Sequence, residues 1–523
     1  MPDILSAYAQ AQPDKPAVIE DLPDGSITSW SYAELEAEAN KLANALASLG
    51  AGPGTKVIWC GANSLPVVAC MNAIRKIGSV SVPLNYRLTA EEARYIVGHS
   101  DARVAFADAE YAHLFSPGDG AGKKLPGKLD HVLVSGGPAP DGMIGENIIA
   151  SASSEPPPDP GDLGPGGATM IYTSGTTGRP KGAVRRAGDE TVVVGLITAI
   201  GYQPDDIYIT SGPLYHSGPG SFMLIGQALG QTVIVQRKFD AQDWLRLVDK
   251  YKVTSSFSAP ALVRMICALP AEVKAKYDKS TMKRMIANAA PWSFALKQAY
   301  LADFPADSLW EVYGSTELGV NCLLEPKDQL RKPGSCGKPA PYNEIMLVGE
   351  DGSEVTGTGP DHPGELFVRS GGVFSEYYKQ ADSFEEARRG EWHTVGDIAY
   401  RDDEGFYYIC DRKNDLIISG GMNIYPAEIE AALEQHPDIY DVAVFGIPSE
   451  EWGELVHATI VLAPGAELSR DDVIAYSREH LAGYKTPRSV AFTDELPRTG
   501  SGKILKRQLR APYWEGQASQ LVV

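Results

Sequence analysis

The chain has 523 residues, 43% hydrophobic and 22% charged, which is enough apolar material for several packed cores. Its 47 Lys and Arg against 67 Asp and Glu give a formal net charge of −20, which excludes a global basic footprint for nucleic acid. An anionic ligand would have to be held by local cations and oriented amides.

The six cysteines (Cys60, Cys70, Cys267, Cys322, Cys336 and Cys410) are scattered, without the close spacing of a zinc site or a redox pair. Met1-Pro-Asp-Ile4 has neither the basic start nor the apolar core of a secretory leader. No apolar run approaches the roughly 18 residues of a membrane span. Gln520-Leu-Val-Val523 carries no retention or peroxisomal signal. A cytoplasmic enzyme of roughly three domains, or one large enzyme of several subdomains, is the expectation.

In chain order, Ser31-Tyr-Ala-Glu34 has the spacing of a capping box. Leu35, Ala39, Leu42, Leu46 and Leu49 then recur at helical spacing until Gly50. Lys56–Cys60 reads as a buried strand, Leu65 to Ile77 as a helix, and Ser79–Pro83, Arg103–Phe106 and His131–Val134 as strands. Alternation of this kind predicts a parallel, doubly wound sheet.

Glu155 to Gly167 is a Pro/Gly connector, and Ala168–Ile171 is a short strand after it. Strands are predicted at Ile207–Thr210, Thr232–Val235 and Ser308–Val312, with a helix capped by Asp240 that places Trp244, Leu247 and Val248 inward. From Gly334 to Tyr408 short glycine-punctuated strands suggest a small barrel-like unit. Beyond Asn414 the rhythm changes: Pro426 opens a helix over Ala427–Glu434, Asp441–Phe445 and Ala458–Leu462 are strands, and Ser469 with Asp472 caps another helix. That is enough for a separate α+β domain.

One stretch carries unusual chemistry, Tyr172-Thr-Ser-Gly-Thr-Thr-Gly-Arg-Pro-Lys-Gly182. Its small residues let backbone approach a ligand, Thr173, Ser174, Thr176 and Thr177 supply hydroxyls around Gly175, and Lys181 supplies a cation. The set suits a polyphosphate, with a solvated turn as the plain alternative. A Walker loop is excluded, because Pro180-Lys181 stands where Gly-Lys is required. Glu317, after a strand and a glycine turn in Tyr313-Gly-Ser-Thr-Glu317, can reach a magnesium ion that bridges phosphates, and Tyr313 offers a flat face to a base. A capped helix start would look the same. His216 in Pro213-Leu-Tyr-His-Ser-Gly-Pro-Gly220 reads equally well as an ordinary loop residue, and Lys503 in Pro497-Arg-Thr-Gly-Ser-Gly-Lys503 reads from composition as a solvated loop lysine.

The Tyr172–Gly182 string resembles the phosphate-loop signature of the adenylate-forming superfamily, which comprises acyl-CoA synthetases, nonribosomal-peptide adenylation domains and firefly luciferase. Further motifs resemble that superfamily in the same order along nearly the whole chain. They are Pro213–Gly220, Asn288-Ala-Ala-Pro291, Tyr313–Glu317, Glu391-Trp-His-Thr-Val-Gly-Asp397, Asp411–Gly421 and Pro497–Lys503. Asn288, Trp292, the extra Val395 and Asn414 at the hinge position depart from its usual spelling.

The resemblance implies an α/β fold. Residues 1–413 would form a large N-terminal domain of two doubly wound subdomains plus a distorted β-barrel, and 414–523 a small mobile α+β domain. It implies ATP, Mg²⁺ and CoA as cofactors and a small carboxylic acid as substrate, with no nucleic acid, no transmembrane segment and a homodimer left open. Lys503 would be the adenylation lysine, Thr316 would contact the α-phosphate, Glu317 would ligate magnesium, and His216 would lie beside the substrate carboxylate. Thr173, Ser174, Gly175, Thr176, Thr177 and Lys181 would hold the phosphates. Ala289, Ala290, Pro291 and Tyr313 would enclose the adenine, Asp397 and Arg412 would face the ribose, and Gly420 and Gly421 would border the pantetheine channel.

No acid lies between Tyr215 and Gly226, where amino-acid-activating relatives place an Asp for the substrate ammonium. The absence argues for an acid without an α-amine, because an unpaired buried ammonium is costly. Phe222, Met223, Leu224 and Ile225 suit an apolar acyl group. The expectation is an acyl-CoA synthetase for a medium-to-long or bulky apolar acid, similar to bacterial fatty-acyl-CoA synthetases. An amide-forming ligase or an aryl-acid CoA ligase is the alternative. A nucleotide binder without catalysis fits poorly with Lys503, Glu317 and Asp397 in place.

Overall fold

Two large sheets share one core. In the computed structural model the first has seven strands, in the order Glu376–Tyr377, Lys181–Arg185, Thr169–Thr173, Val80–Pro83, Lys56–Cys60, Val104–Asp108 and His131–Ser135. The last five run parallel, while Lys181–Arg185 folds back antiparallel on Thr169–Thr173. The structure describes all residues except 1–2, 117–123, 161–167, 174–179, 187–189, 289–291, 413–414, 420–421, 450, 499–503 and 516–523, and the side chains of Arg412 and Asn423.

The second sheet has nine strands, with Leu309–Ser315, Arg284–Ala287, Ser255–Ser258, Ile207–Thr210 and Thr232–Val235 parallel at its centre. Its far edge is the N-terminal hairpin Pro16–Asp21 and Ile27–Ser31, which pairs in parallel with Thr232–Val235. Helices Tyr32–Ser48, Leu65–Lys76 and Ser217–Ala228 fill the space between the sheets, where Leu35, Leu46, Val68, Trp59, Phe222 and Val233 form one core. Burial on both faces explains why strands such as Lys56–Cys60 read as unbroken apolar runs.

The expected caps are present. Ser31 and Glu34 form a reciprocal capping box, Asp240 accepts from the Asp243 amide, and Ser469 pairs with Asp472. The barrel-like unit is a six-stranded antiparallel sheet in which Gly364–Arg369 pairs with Glu344–Val348, Trp392–His393 and Asp397–Arg401. It begins later than Gly334, because Lys338–Pro339 joins the nine-stranded sheet. Gly337 makes that detour, with φ of 102° and a backbone so close to Leu323 that a Cβ would lie 2.1 Å from its carbonyl oxygen.

The C-terminal unit has its own sheet, built on the antiparallel pair Ile439–Ser449 and Gly453–Leu462. Helices Pro426–Leu433 and Arg470–His480 cover it over a separate core of Ile417, Ile429, Leu433, Val444, Ile460 and Val473. All six cysteines are free. Among the described residues no helix is long and apolar enough to cross a membrane.

Candidate active site between the two sheets

Two hairpins, one from each large sheet, face each other across a cleft. One is Thr169–Thr173 with Lys181–Arg185, in which Thr173 pairs with Lys181. The other is Leu309–Ser315 with Gly319–Leu324. The Tyr313–Glu317 motif is therefore the end of a strand and a tight turn, not the start of a helix. A bulge at Tyr313/Gly314 brings Gly314 so near Gly319 that a Cβ would stand 1.9 Å from the Gly319 carbonyl oxygen. Only glycine closes this turn, and the turn aims Thr316 and Glu317.

Glu317 is 8% exposed, and its Oε1 accepts from Thr173 Oγ1 at 2.9 Å and from the Tyr377 hydroxyl at 3.2 Å. Both donors engage the same oxygen, and among the described residues none reaches Oε2. A buried carboxylate with one oxygen uncommitted fits a magnesium ion, which takes one or two carboxylates plus phosphate oxygens and water. Thr316 Oγ1 lies 2.9 Å from Ser217 Oγ, and its carbonyl accepts from Arg185 Nη1 at 2.6 Å. Arg185 also donates to the Gly372 carbonyl at 2.8 Å. Burial lowers the pKa of its guanidinium, against the pull of the nearby Glu317 charge. Arg185, Tyr377 and Ser217 are site residues that the sequence reading missed. The Arg185-Arg186 pair at the end of the strand after the loop could have pointed to Arg185, and Ser217 stands within the Pro213–Gly220 motif, whereas Tyr377 has no local signal.

The Tyr313 hydroxyl donates to Asp397 Oδ2 at 2.5 Å. Burial and the Asp397 charge push the Tyr313 pKa far above its usual value, so it stays a neutral donor. Asp397 pairs with Arg412 in the antiparallel register of the third sheet. That places the two residues expected at the ribose side by side, next to the tyrosine expected at the base. Asn288 follows strand Arg284–Ala287 and donates through Nδ2 to the Val312 carbonyl at 2.6 Å, tying that strand to the Tyr313 strand.

His216 is the N-cap of helix Ser217–Ala228, with its ring 4.4 Å from that of Tyr215. Its loop is held by buried Asn63, which donates to the Gly212 and Gln236 carbonyls at 3.0 and 3.2 Å and accepts from the Leu214 amide at 2.9 Å. Gly218 lets the helix sit on Phe257, whose ring a Cβ would approach to 2.3 Å. Of the four apolar residues expected at an acyl pocket, Phe222 and Ile225 line the cleft. Met223 and Leu224 do not: Met223 is fully buried in the core between the sheets, and Leu224 packs against that core.

The open space that includes this cleft reaches the C-terminal unit at Glu428, Arg498 and Trp514 and measures about 3270 Å³; its apolar lining includes Val192, Leu196, Phe222, Ile225, Leu262 and Met265. Helix Glu190–Ile200 is almost wholly apolar, yet Ile200 is its only buried residue, and Val193 and Val194 are 40% and 58% exposed. Lys181 turns to helix Ala381–Glu386, donating to Ser383 Oγ at 3.0 Å, with its ammonium 5.2 Å from the Tyr377 ring.

Ser174, Gly175, Thr176, Thr177, Ala289, Ala290, Pro291, Gly420, Gly421, Lys503 and the hinge residue Asn414 lie outside the described residues, as does the Arg412 side chain. Around them, Ser419 pairs with Met422, Arg498 bridges to Ile504, and the Leu505 amide donates to the Pro497 carbonyl at 2.8 Å.

Comparison with known proteins agrees with this geometry. Residues 5–378 match the family model for AMP-binding enzymes, and residues 428–503 match that for the AMP-binding enzyme C-terminal domain. The chain is 34% identical over 492 residues to a feruloyl-CoA synthase of Amycolatopsis sp., covering 93% of this chain and 94% of that protein. It is 31% identical over 512 residues to the long-chain-fatty-acid–CoA ligase FadD13 of Mycobacterium tuberculosis, covering 98% of each. An o-succinylbenzoate coenzyme A synthetase from Bacillus subtilis, solved with ATP and magnesium ion, superposes with a TM-score of 0.80 at 26% identity, over 97% of this chain and 99% of that one. The chain belongs to the AMP-binding enzyme family, as an acid–thiol ligase that uses ATP, Mg²⁺ and CoA.

Proposed function

We propose that this ligase activates an apolar carboxylic acid of medium-to-long or bulky shape, fatty or resembling a steroid side chain, and passes the acyl group to CoA. The observation that carries this reading is the apolar part of the cleft lining, which includes Val192, Leu196, Phe222, Ile225, Leu262 and Met265. No carboxylate stands between Tyr215 and Gly226 to pair with a substrate ammonium. An acid with an alkyl or fused-ring body gains by burying its surface there, at about 25 cal/mol per Å².

In the first half-reaction a carboxylate oxygen of the acid attacks the α-phosphorus of ATP, and pyrophosphate leaves. The acid is already ionised near neutral pH, so no general base is needed. Lys503 supplies the cation that lets two anions approach and that stabilises charge at the α-phosphate. Thr316 contacts that phosphate, and His216 flanks the substrate carboxylate. Thr173, with Ser174 to Thr177 and Lys181, holds the β- and γ-phosphates. Tyr313 lies against the adenine opposite Ala289, Ala290 and Pro291, while Asp397 and Arg412 receive the ribose hydroxyls. Magnesium held by Glu317 would neutralise phosphate charge.

In the second half-reaction the CoA sulfur attacks the acyl carbon and AMP leaves, with Gly420 and Gly421 keeping the pantetheine path open. The unit that rotates between the steps begins near residue 414, and the reaction takes place in the cytoplasm.

The test is pyrophosphate release with ATP and Mg²⁺ over a panel of straight-chain, aryl and steroid acids, with and without CoA, the product identified by mass. Turnover confined to alkyl or steroid acids, and dependent on CoA, is the expected outcome. Preference for aryl acids would overturn the proposed substrate. Turnover that ignores CoA but follows an added amine would overturn the proposed acceptor.

A further inference from the structure

Arg264 stands on helix Pro260–Cys267, whose Leu262 and Met265 line the apolar cleft. Its Nη1 donates to the Tyr440 carbonyl at 2.9 Å and lies 3.9 Å from Asp441 Oδ1, while its guanidinium sits 5.7 Å from the Tyr440 ring. Tyr440 and Asp441 belong to strand Ile439–Ser449, so the contact crosses from the large N-terminal domain to the C-terminal unit. The other oxygen of Asp441, Oδ2, accepts from Arg498 Nη2. Arg498 bridges to Ile504, and the Leu505 amide bonds to the Pro497 carbonyl, so the segment that carries Lys503 is closed at its base by residues tied to Asp441.

Asp441 is 6% exposed and is shared between two guanidiniums, one from each unit. Removing one partner of a buried ion pair is costly, so the arrangement is stable as a whole and poor when either arginine withdraws. Its consequence is geometric. The one acid joins the helix that lines the acid-binding cleft to the base of the segment that presents the adenylation lysine.

We propose that Asp441 is a positioning residue for acyl-adenylate formation, acting through an Arg264–Asp441–Arg498 clasp. The closed clasp ties Arg498 and strand Ile439–Ser449 to helix Pro260–Cys267 of the N-terminal domain. Rotation of the C-terminal unit for the thioester step requires Arg264 to release Asp441. The inference rests on the role proposed above for Lys503.

Arg264→Gln is the first variant, because Arg264 is a partly exposed side chain of the N-terminal domain and no part of the C-terminal unit's core. In the full-length enzyme, acid-dependent ATP–pyrophosphate exchange falls by about tenfold or more, whereas thioester formation from chemically prepared acyl-AMP and CoA stays within about twofold of wild type or rises. Arg264→Lys, which keeps the charge, restores most of the exchange. Asp441→Asn gives the same split, and the double variant is no worse than either single one, as expected of residues acting as one unit.

Hydrogen exchange without substrates supplies a readout independent of which acid or acceptor is correct. Amides of Ala427–Leu433 and of Ile439–Val442 lose protection in Arg264→Gln. Equal loss in both half-reactions, full additivity of the two substitutions, or unchanged protection would each overturn the clasp. Failure of wild type to form a CoA thioester would count against the proposed acceptor, and the exchange and protection measurements would still decide on Asp441.

Discussion

Thr173 and Glu317 meet through a 2.9 Å hydrogen bond although one ends a strand of the seven-stranded sheet and the other lies in a turn of the nine-stranded sheet. The bond, reinforced by the Tyr377 hydroxyl on the same oxygen, fixes the carboxylate where the two halves of the N-terminal domain meet. Loops at the ends of parallel strands are where open α/β sheets bind ligands. Here two such ends face one another.

Removing the carboxylate charge tests the magnesium assignment. Glu317→Gln keeps the shape and is expected to lower ATP–pyrophosphate exchange by about 10² or more, the scale for loss of a preorganised electrostatic group. Thr173→Val removes only an orienting donor and is expected to cost about tenfold, with a higher magnesium concentration needed for half-maximal rate. A magnesium titration of both variants checks this. Equal magnesium dependence of Glu317→Gln and wild type would remove Glu317 from the metal.

Separating the two half-reactions tests Lys503. Lys503→Ala is expected to abolish acyl-AMP formation and to spare thioester formation from preformed acyl-AMP, since its charge is needed only while carboxylate and triphosphate approach. Equal loss in both assays would refute the assignment. Gly421→Leu is expected to do the reverse, slowing the thioester step through a blocked channel, and unchanged CoA turnover would take Gly421 out of it.

The turn behind Glu317 has no room for a methyl group. In Gly314→Ala the new Cβ would meet the Gly319 carbonyl oxygen at 1.9 Å, and that obstacle is backbone, not a side chain that can swing away. The hairpin must open, at a cost of about 1–3 kcal/mol for overpacking. Because Tyr313 and Thr316 flank it, KM for ATP should rise along with a lower melting temperature. Gly483→Ala, where nothing lies within 4 Å, should leave both unchanged.

The C-terminal unit should weaken in acid through His457. Its ring is buried between Phe445 and Tyr513, and burial, assisted by Arg470, lowers its pKa from 6.5 to about 4. The unfolded chain therefore takes up the proton first as pH falls. The contribution is complete above the unfolded value and is lost between pH 6.5 and about 4. It amounts to roughly 3 kcal/mol by proton linkage. Urea unfolding followed by fluorescence of Trp452 and Trp514 should show this slope, and His457→Gln should flatten it.

Local features of the fold are legible in the sequence, because their physics is local. Ser31 with Glu34, Asp240, and Ser469 with Asp472 cap helices as their spacing predicts, since a cap needs only the next three residues. Strands such as Lys56–Cys60 and Thr232–Val235 stand out as short apolar runs. The hairpin Pro16–Ser31 does not, because its polar edge strand Ile27–Ser31 has no buried residue and its other strand gains stability only by pairing with Thr232–Val235. The late start of the barrel-like sheet was likewise invisible, since it depends on the close approach of Gly337 to Leu323.

The same division runs through the site. By itself the sequence determined which groups are available: hydroxyls and a lysine in Tyr172–Gly182, a carboxylate at Glu317, an aromatic face at Tyr313, an acid at Asp397 and a lysine at 503. Only the tertiary structure decided that Thr173 orients Glu317, that Tyr313 donates to Asp397, that Arg185 braces the Thr316 carbonyl, and that Met223 belongs to the core. Each of these partnerships joins residues from different sheets or layers. Its energy comes from burial and from satisfying polar groups once those layers have packed, and no window of neighbouring residues contains that information.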